Sequence, residues 1–168
     1  MSDIKIYDSN PIPVEKYYHE LMSDIHWTHS GKSGIPSEKF KHWSNATSKD
    51  NPIIKEIWNE VQRQIPIELT PTNILLNLYN HGDSSHTHID STEWTIIVYM
   101  NPTWDINWGG YTVFMNKAVD KIIYAVYPKP GSFVMFKSNI LHKPTAVERE
   151  TPYPRFGLTF QCNVKTSS

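Results

Sequence analysis

Sulfur chemistry is almost absent from this chain. Cys162 is the one cysteine in 168 residues, so neither an internal disulfide nor a cysteine-based zinc knuckle can form. That usage fits a reducing, cytoplasmic setting. No run of about 18 apolar residues occurs, so no segment reads as a membrane span. The opening Met-Ser-Asp-Ile-Lys-Ile-Tyr-Asp is acidic and lacks an apolar stretch, so it does not read as a secretion signal. Excess charge is missing too: 16 Lys+Arg against 17 Asp+Glu leaves −1, which argues against a nucleic-acid scaffold. Strong helix formers are scarce, with 7 Leu and 4 Ala against 18 Ile and 9 Val. β-Branched side chains suit a pleated sheet, so the composition leans towards β-structure. At 39% apolar and 20% charged residues the chain can bury a core, and its length suits one domain over 1–168.

Elements read in two blocks. Residues 1–72 form a helical support. Pro13–Met22 carries an apolar stripe through Val14, Tyr17, Tyr18 and Leu21. Asn51-Pro52 is a helix start, followed by Ile53, Ile54, Ile57, Trp58, Val61 and Ile65 at helical spacing, and Pro66 ends the run. Between them, Thr28–Asn51 is polar and reads as a surface loop with a short helix anchored by Phe40 and Trp43, the functional alternative being a lid over a pocket. Residues 73–164 read as short strands: Ile74–Tyr79, His86–Asp90, Thr95–Met100, Tyr111–Met115, Ile122–Tyr127, Ser132–Phe136 and Phe156–Val164. No room is left for crossover helices, so parallel winding is excluded. The expected fold is mainly β with N-terminal helices (α+β), its core a double-stranded β-helix, or jelly roll.

His88-Ile89-Asp90 carries the sharpest chemistry. Residues i and i+2 of a strand share a face, so an imidazole and a carboxylate stand side by side. His142, 52 residues after Asp90 (142 − 90), is the candidate third ligand. Two His and a carboxylate on one face of a metal suit non-haem Fe(II), which needs open positions for a co-substrate and O₂. Zinc accepts the same ligands with one open position. Arg155 opens the last strand 13 residues after His142 (155 − 142), where a guanidinium turned inward needs an anionic partner.

The segments NLYNHGDSSHTHID, TIIVYMNPTW, WGGYTVFM, KPGSFVMF, ILHKP and RFGLTF follow in that order over Ile74–Cys162. In this they resemble the Fe(II)/2-oxoglutarate-dependent dioxygenases, and within them the prolyl-4-hydroxylase-like branch. The resemblance implies a metal site of His88, Asp90 and His142, and Arg155 as anchor for the 5-carboxylate of 2-oxoglutarate. It implies Tyr79 lining the co-substrate site and Tyr99 as a hydroxyl partner of the same carboxylate. Fe(II) and 2-oxoglutarate would be the cofactor and co-substrate, with ascorbate as reductant. The implied reaction is hydroxylation of an unactivated C–H bond, with release of succinate and CO₂. A prolyl residue in a peptide or protein is the leading substrate class, and a small molecule the other. Asn101, Trp104, Gly109 and Gly110 read as structural. Three departures stand out: Tyr111 where the family usually has Glu, a longer spacing from His142 to Arg155 holding Pro152 and Pro154, and Gly157 in place of a Ser or Thr.

Other readings remain open on the sequence. His86, His88 and Glu93 form a cupin-like H-x-H-x4-E, which would serve a metalloenzyme not using 2-oxoglutarate. A non-catalytic jelly-roll binding module would use the same concavity without metal. His81, Asp83 and Asp105 read as turn residues, and Trp94, Trp104 and Trp108 as core or rim. A barrel interior of Ile97, Val113, Phe133 and Met135 would shield the metal from solvent.

Overall fold

The computed structural model describes residues 3–23, 26–30, 41–83 and 85–165. In chain order these hold β1 (Ile4–Tyr7), α1 (Glu15–Ser23), β2 (Thr28–Ser30), β3 (His42–Ala46), α2 (Pro52–Gln64) and β4 (Leu69–Tyr79). There follow β5 (Trp94–Tyr99), a 3-10 turn at Ile106–Trp108, β6 (Thr112–Met115), β7 (Ile122–Val126), β8 (Phe133–Lys137), β9 (His142–Pro144) and β10 (Arg155–Val164). Period-two alternation decides which side chains meet. Along β4, β5 and β10, Leu76, Leu78, Ile96, Val98, Phe156 and Phe160 face the helices, while Asn77, Tyr79, Ile97, Arg155, Thr159 and Gln161 line a cavity.

All pairings are antiparallel. The larger sheet runs β1-β8-β5-β10-β4-β3-β2 and the smaller β7-β6-β9, giving the expected jelly roll. Side chains from both sheets line the cavity. The helices cover the outer face of the larger sheet. Asn51 caps α2, its Oδ1 accepting from the N–H groups of Ile53 and Ile54 at 3.0 and 3.3 Å. Ile54, Ile57 and Val61 are then buried against the sheet. No helix of the described residues is long and apolar enough to cross a membrane.

Several expectations are corrected. The first 72 residues are not helical support alone, since β1, β2 and β3 extend the larger sheet. The described part of Thr28–Asn51 forms strands, not a loop with a helix; β3 pairs with β4, matching Trp43 to Leu78. Phe40 lies outside the described residues. Alternation hid this strand because its cavity-facing residues, His42 and Ser44, are polar. His86–Asp90 is not a strand: only His88 bridges, to His142. The barrel interior also differs. Phe133 and Met135 face the helices, and Val134, Phe136 and Phe114 join Ile97 inside. β8 is apolar on both faces, so its sequence carries no sign of which set turns inward.

Candidate metal centre and its cavity

His88 and His142 are neighbours through the backbone. His88 N–H donates to His142 O at 3.1 Å, and His142 N–H returns to His88 O at 3.0 Å. This bridge sets the two imidazoles 4.4 Å apart between ring centres. Asp90 joins them because its own N–H is tied to Ser138 O at 2.9 Å. Nε2 of His88 lies 3.9 Å from Asp90 Oδ1, and Nε2 of His142 lies 3.7 Å from Asp90 Oδ2. The three donor atoms fall within 4.8 Å of one another.

The proton positions follow from the partners. Nδ1 of His88 sits 3.0 Å from His86 O, and Nδ1 of His142 sits 2.9 Å from Ile140 O. A carbonyl only accepts, so both Nδ1 atoms carry hydrogen, and it is the Nε2 atoms that face Asp90. His142 is 4% exposed, with Phe136 edge-on at 4.6 Å. Burial, reinforced by the neighbouring His88, pushes its pKa down to about 4, so it stays neutral at ordinary pH. Two imidazole nitrogens and one carboxylate, converging without a hydrogen bond between them, fit a divalent transition metal.

The triad opens onto a cavity of about 620 Å³. Arg155 lines the same cavity and is 3% exposed. Its Nε donates to Gly110 O at 2.6 Å and its Nη2 to Thr112 Oγ1 at 3.0 Å. Among the described residues no carboxylate lies within 4 Å of it, and burial pulls its pKa below the ordinary guanidinium value. Gly110 is what lets it fit: with φ at +68°, a Cβ there would sit 3.0 Å from Arg155 Cδ and 3.2 Å from Trp104 Cζ2. Tyr79 also lines the cavity, stacked on His42 at 4.6 Å, with its ring centre 5.7 Å from the guanidinium carbon. Burial raises its pKa to about 12, so it remains a phenol. Tyr99 also packs on the guanidinium, its ring centre 5.4 Å from the guanidinium carbon. Its hydroxyl donates to Thr112 Oγ1 at 2.8 Å, and Thr112 rather than Tyr99 lines the cavity.

Sequence reading missed Thr112, which accepts from both Tyr99 and Arg155 and so keeps its own hydroxyl hydrogen free for a third partner. Its place two residues after Gly110 was the available signal. The cupin-like set does not converge. His86 packs 5.8 Å from the His88 ring, but Glu93 accepts from Val164 N–H at 2.6 Å and stands outside the cluster. His81 donates from Nδ1 to Val147 O at 3.0 Å in its turn, and Asp105 caps the 3-10 turn.

A family model described as the 2OG-Fe(II) oxygenase superfamily matches residues 74–161. The chain belongs to this superfamily. Its members use Fe(II) and 2-oxoglutarate, and the protein is accordingly an oxidoreductase of the dioxygenase class. A buried arginine without an acidic partner fits a dicarboxylate co-substrate as the triad fits the metal. No curated protein matches the sequence significantly. Solved structures share the fold. A Pseudomonas putida prolyl-4-hydroxylase superposes with TM-score 0.68 at 14% identity, over 95% of this chain and 91% of its own. A Trichoplax adhaerens prolyl hydroxylase, in complex with a hypoxia-inducible-factor oxygen degradation domain peptide, gives 0.72 at 16% identity, over 95% and 83%. An α-ketoglutarate-dependent epimerase of nogalamycin biosynthesis gives 0.69 at 13%, over 95% and 77%.

Proposed function

We propose that this oxygenase hydroxylates an unactivated C–H bond, with a prolyl residue in a peptide or protein as its substrate. His88, Asp90 and His142 hold Fe(II). Arg155 anchors the far carboxylate of 2-oxoglutarate, Tyr79 lines its path and Thr112, backed by Tyr99, adds a donor. The observation that carries this is one cavity holding both a metal-ready triad and a buried guanidinium without an acidic partner. When bound, Fe(II) with 2-oxoglutarate and O₂ supplies the oxidation, releasing succinate and CO₂.

The chain's own residues orient and shield. Arg155 is held from two sides by Gly110 and Thr112, so an anion meets a fixed charge. Ile97 walls the cavity beside Gly157, with Val134 and Phe136 packed against it, and these keep water from the reacting end. His88 and His142 keep their metal-facing lone pairs because backbone carbonyls hold the opposite protons. Of the described residues that line the cavity, only Asp90, Arg155 and Lys143 carry formal charge. With Asp90 and Arg155 engaged, a free amino acid would find no carboxylate for its ammonium among the described lining residues, which favours a residue within a peptide. The two prolyl hydroxylase folds support the same class. The single cysteine, buried and reduced, supports a cytoplasmic setting.

The test is turnover under air with Fe(II), 2-oxoglutarate and ascorbate as reductant. Proline-containing peptides should raise succinate release and gain one oxygen on proline by mass spectrometry. Stimulation by non-prolyl substrates alone would refute the prolyl assignment and leave the oxygenase class standing.

A further inference from the structure

Both oxygens of Asp90 are hydrogen-bonded by neutral side chains. Oδ2 accepts from Thr95 Oγ1 at 2.5 Å, and Oδ1 accepts from Gln161 Nε2 at 2.8 Å. Neither bond stands alone. Thr95 Oγ1 lies 2.9 Å from Ser138 Oγ, and Ser138 Oγ lies 3.0 Å from Thr92 Oγ1. Since Thr95 spends its hydrogen on Asp90, Ser138 donates to Thr95, while the Thr92 hydroxyl beside Ser138 donates to Trp94 O at 3.2 Å. On the other side Asn73 Nδ2 donates to Gln161 Oε1 at 3.0 Å. Two chains, Ser138–Thr95 and Asn73–Gln161, therefore point their donors at one carboxylate, and donors in series polarise one another.

Their chemistry is selective. Among the described residues no lysine or arginine lies within 4 Å of Asp90; its nearest ionisable neighbours are the two imidazoles. Amides and hydroxyls hold the carboxylate in place without neutralising the charge it must present to a metal. A carboxylate tied at both oxygens cannot turn about its Cβ–Cγ bond without breaking one of the ties. The anchors themselves are fixed: Thr95 and Ser138 are fully buried on β5 and just after β8, and Gln161 faces inward from β10, opposite Thr95 in register.

We propose that Thr95 and Gln161 are positioning residues that lock the plane of the Asp90 carboxylate, keeping a lone pair aimed where the His88 and His142 nitrogens converge. The assignment rests on the triad reading given under the proposed function. It extends the centre to residues that no motif of the chain marks.

Binding of Mn(II), which needs neither O₂ nor co-substrate, tests it by titration of the metal-free protein. Thr95→Val and Gln161→Met should each weaken Mn(II) binding about tenfold or more, the usual scale for losing an outer-shell partner, while Thr95→Ser stays within about twofold of wild type. Melting of each metal-free variant is recorded alongside. Gln161 is only partly buried, so its variant reports even if Thr95→Val fails to fold. Mn(II) affinity unchanged in both Thr95→Val and Gln161→Met, with Asp90→Ala unable to bind, would overturn the positioning role and leave the triad intact. Loss in Thr95→Ser equal to that in Thr95→Val would remove the hydroxyl as the cause. Wild-type affinity in Asp90→Ala would overturn the triad itself, and the inference with it.

Discussion

Arg155 is a costly side chain to keep at the cavity, being 3% exposed. It keeps a charge inside the fold among a carbonyl, a hydroxyl and two tyrosine rings, with no carboxylate beside it among the described residues. Such a charge is tolerable when the working state brings an anion. Arg155→Ala should therefore raise the KM for 2-oxoglutarate by about 10- to 100-fold, since a charged hydrogen bond contributes roughly 1.5–3 kcal/mol. Mn(II) affinity should stay near wild type, and an unchanged KM would remove Arg155 from the co-substrate site. Residues of this kind were legible in the sequence. A histidine and an aspartate two apart, a distal histidine and an arginine opening an apolar strand are each chemically unusual where they stand. Gln161, Thr95 and Thr112 were not legible, because amides and hydroxyls are common. Their meaning comes only from the partner that strand register supplies.

At the scale of elements, the turn before β6 matters as much as the strands. Gly109 and Gly110 both take positive φ, and Gly110 supplies the carbonyl that receives Arg155 Nε. Gly110→Ala should cost about 1–2 kcal/mol through the left-handed backbone alone. It should also raise the KM for 2-oxoglutarate, because the new methyl crowds Arg155 Cδ. Destabilisation in a urea titration with KM unchanged would show that the turn does not position the guanidinium. β4, β5, β10 and α2 could be read from periodicity, each with one face on the core between sheet and helices. β3 could not, since its inward residues, His42 and Ser44, face a polar-lined cavity and its pattern lacks an apolar stripe. His88 and Asp90 do share a side, as period two implies, yet through a single bridge to His142 and not a strand.

Over the whole molecule, the centre is assembled from segments far apart in sequence. The stretch before β5 brings His88 and Asp90, β9 brings His142 and β10 brings Arg155, with the smaller sheet closing over the larger. None of these segments could hold its side chain in place alone. The helices set no ligand; they bury the outer face of the sheet that does. The central claim is that this assembly binds Fe(II) and 2-oxoglutarate together at His88, Asp90 and His142. Its most direct test is the visible absorption of the protein mixed with both under anaerobic conditions. A metal-to-ligand charge-transfer band should appear with the wild-type chain and vanish in His142→Ala. No band in the wild type, or the same band in His142→Ala, would contradict it.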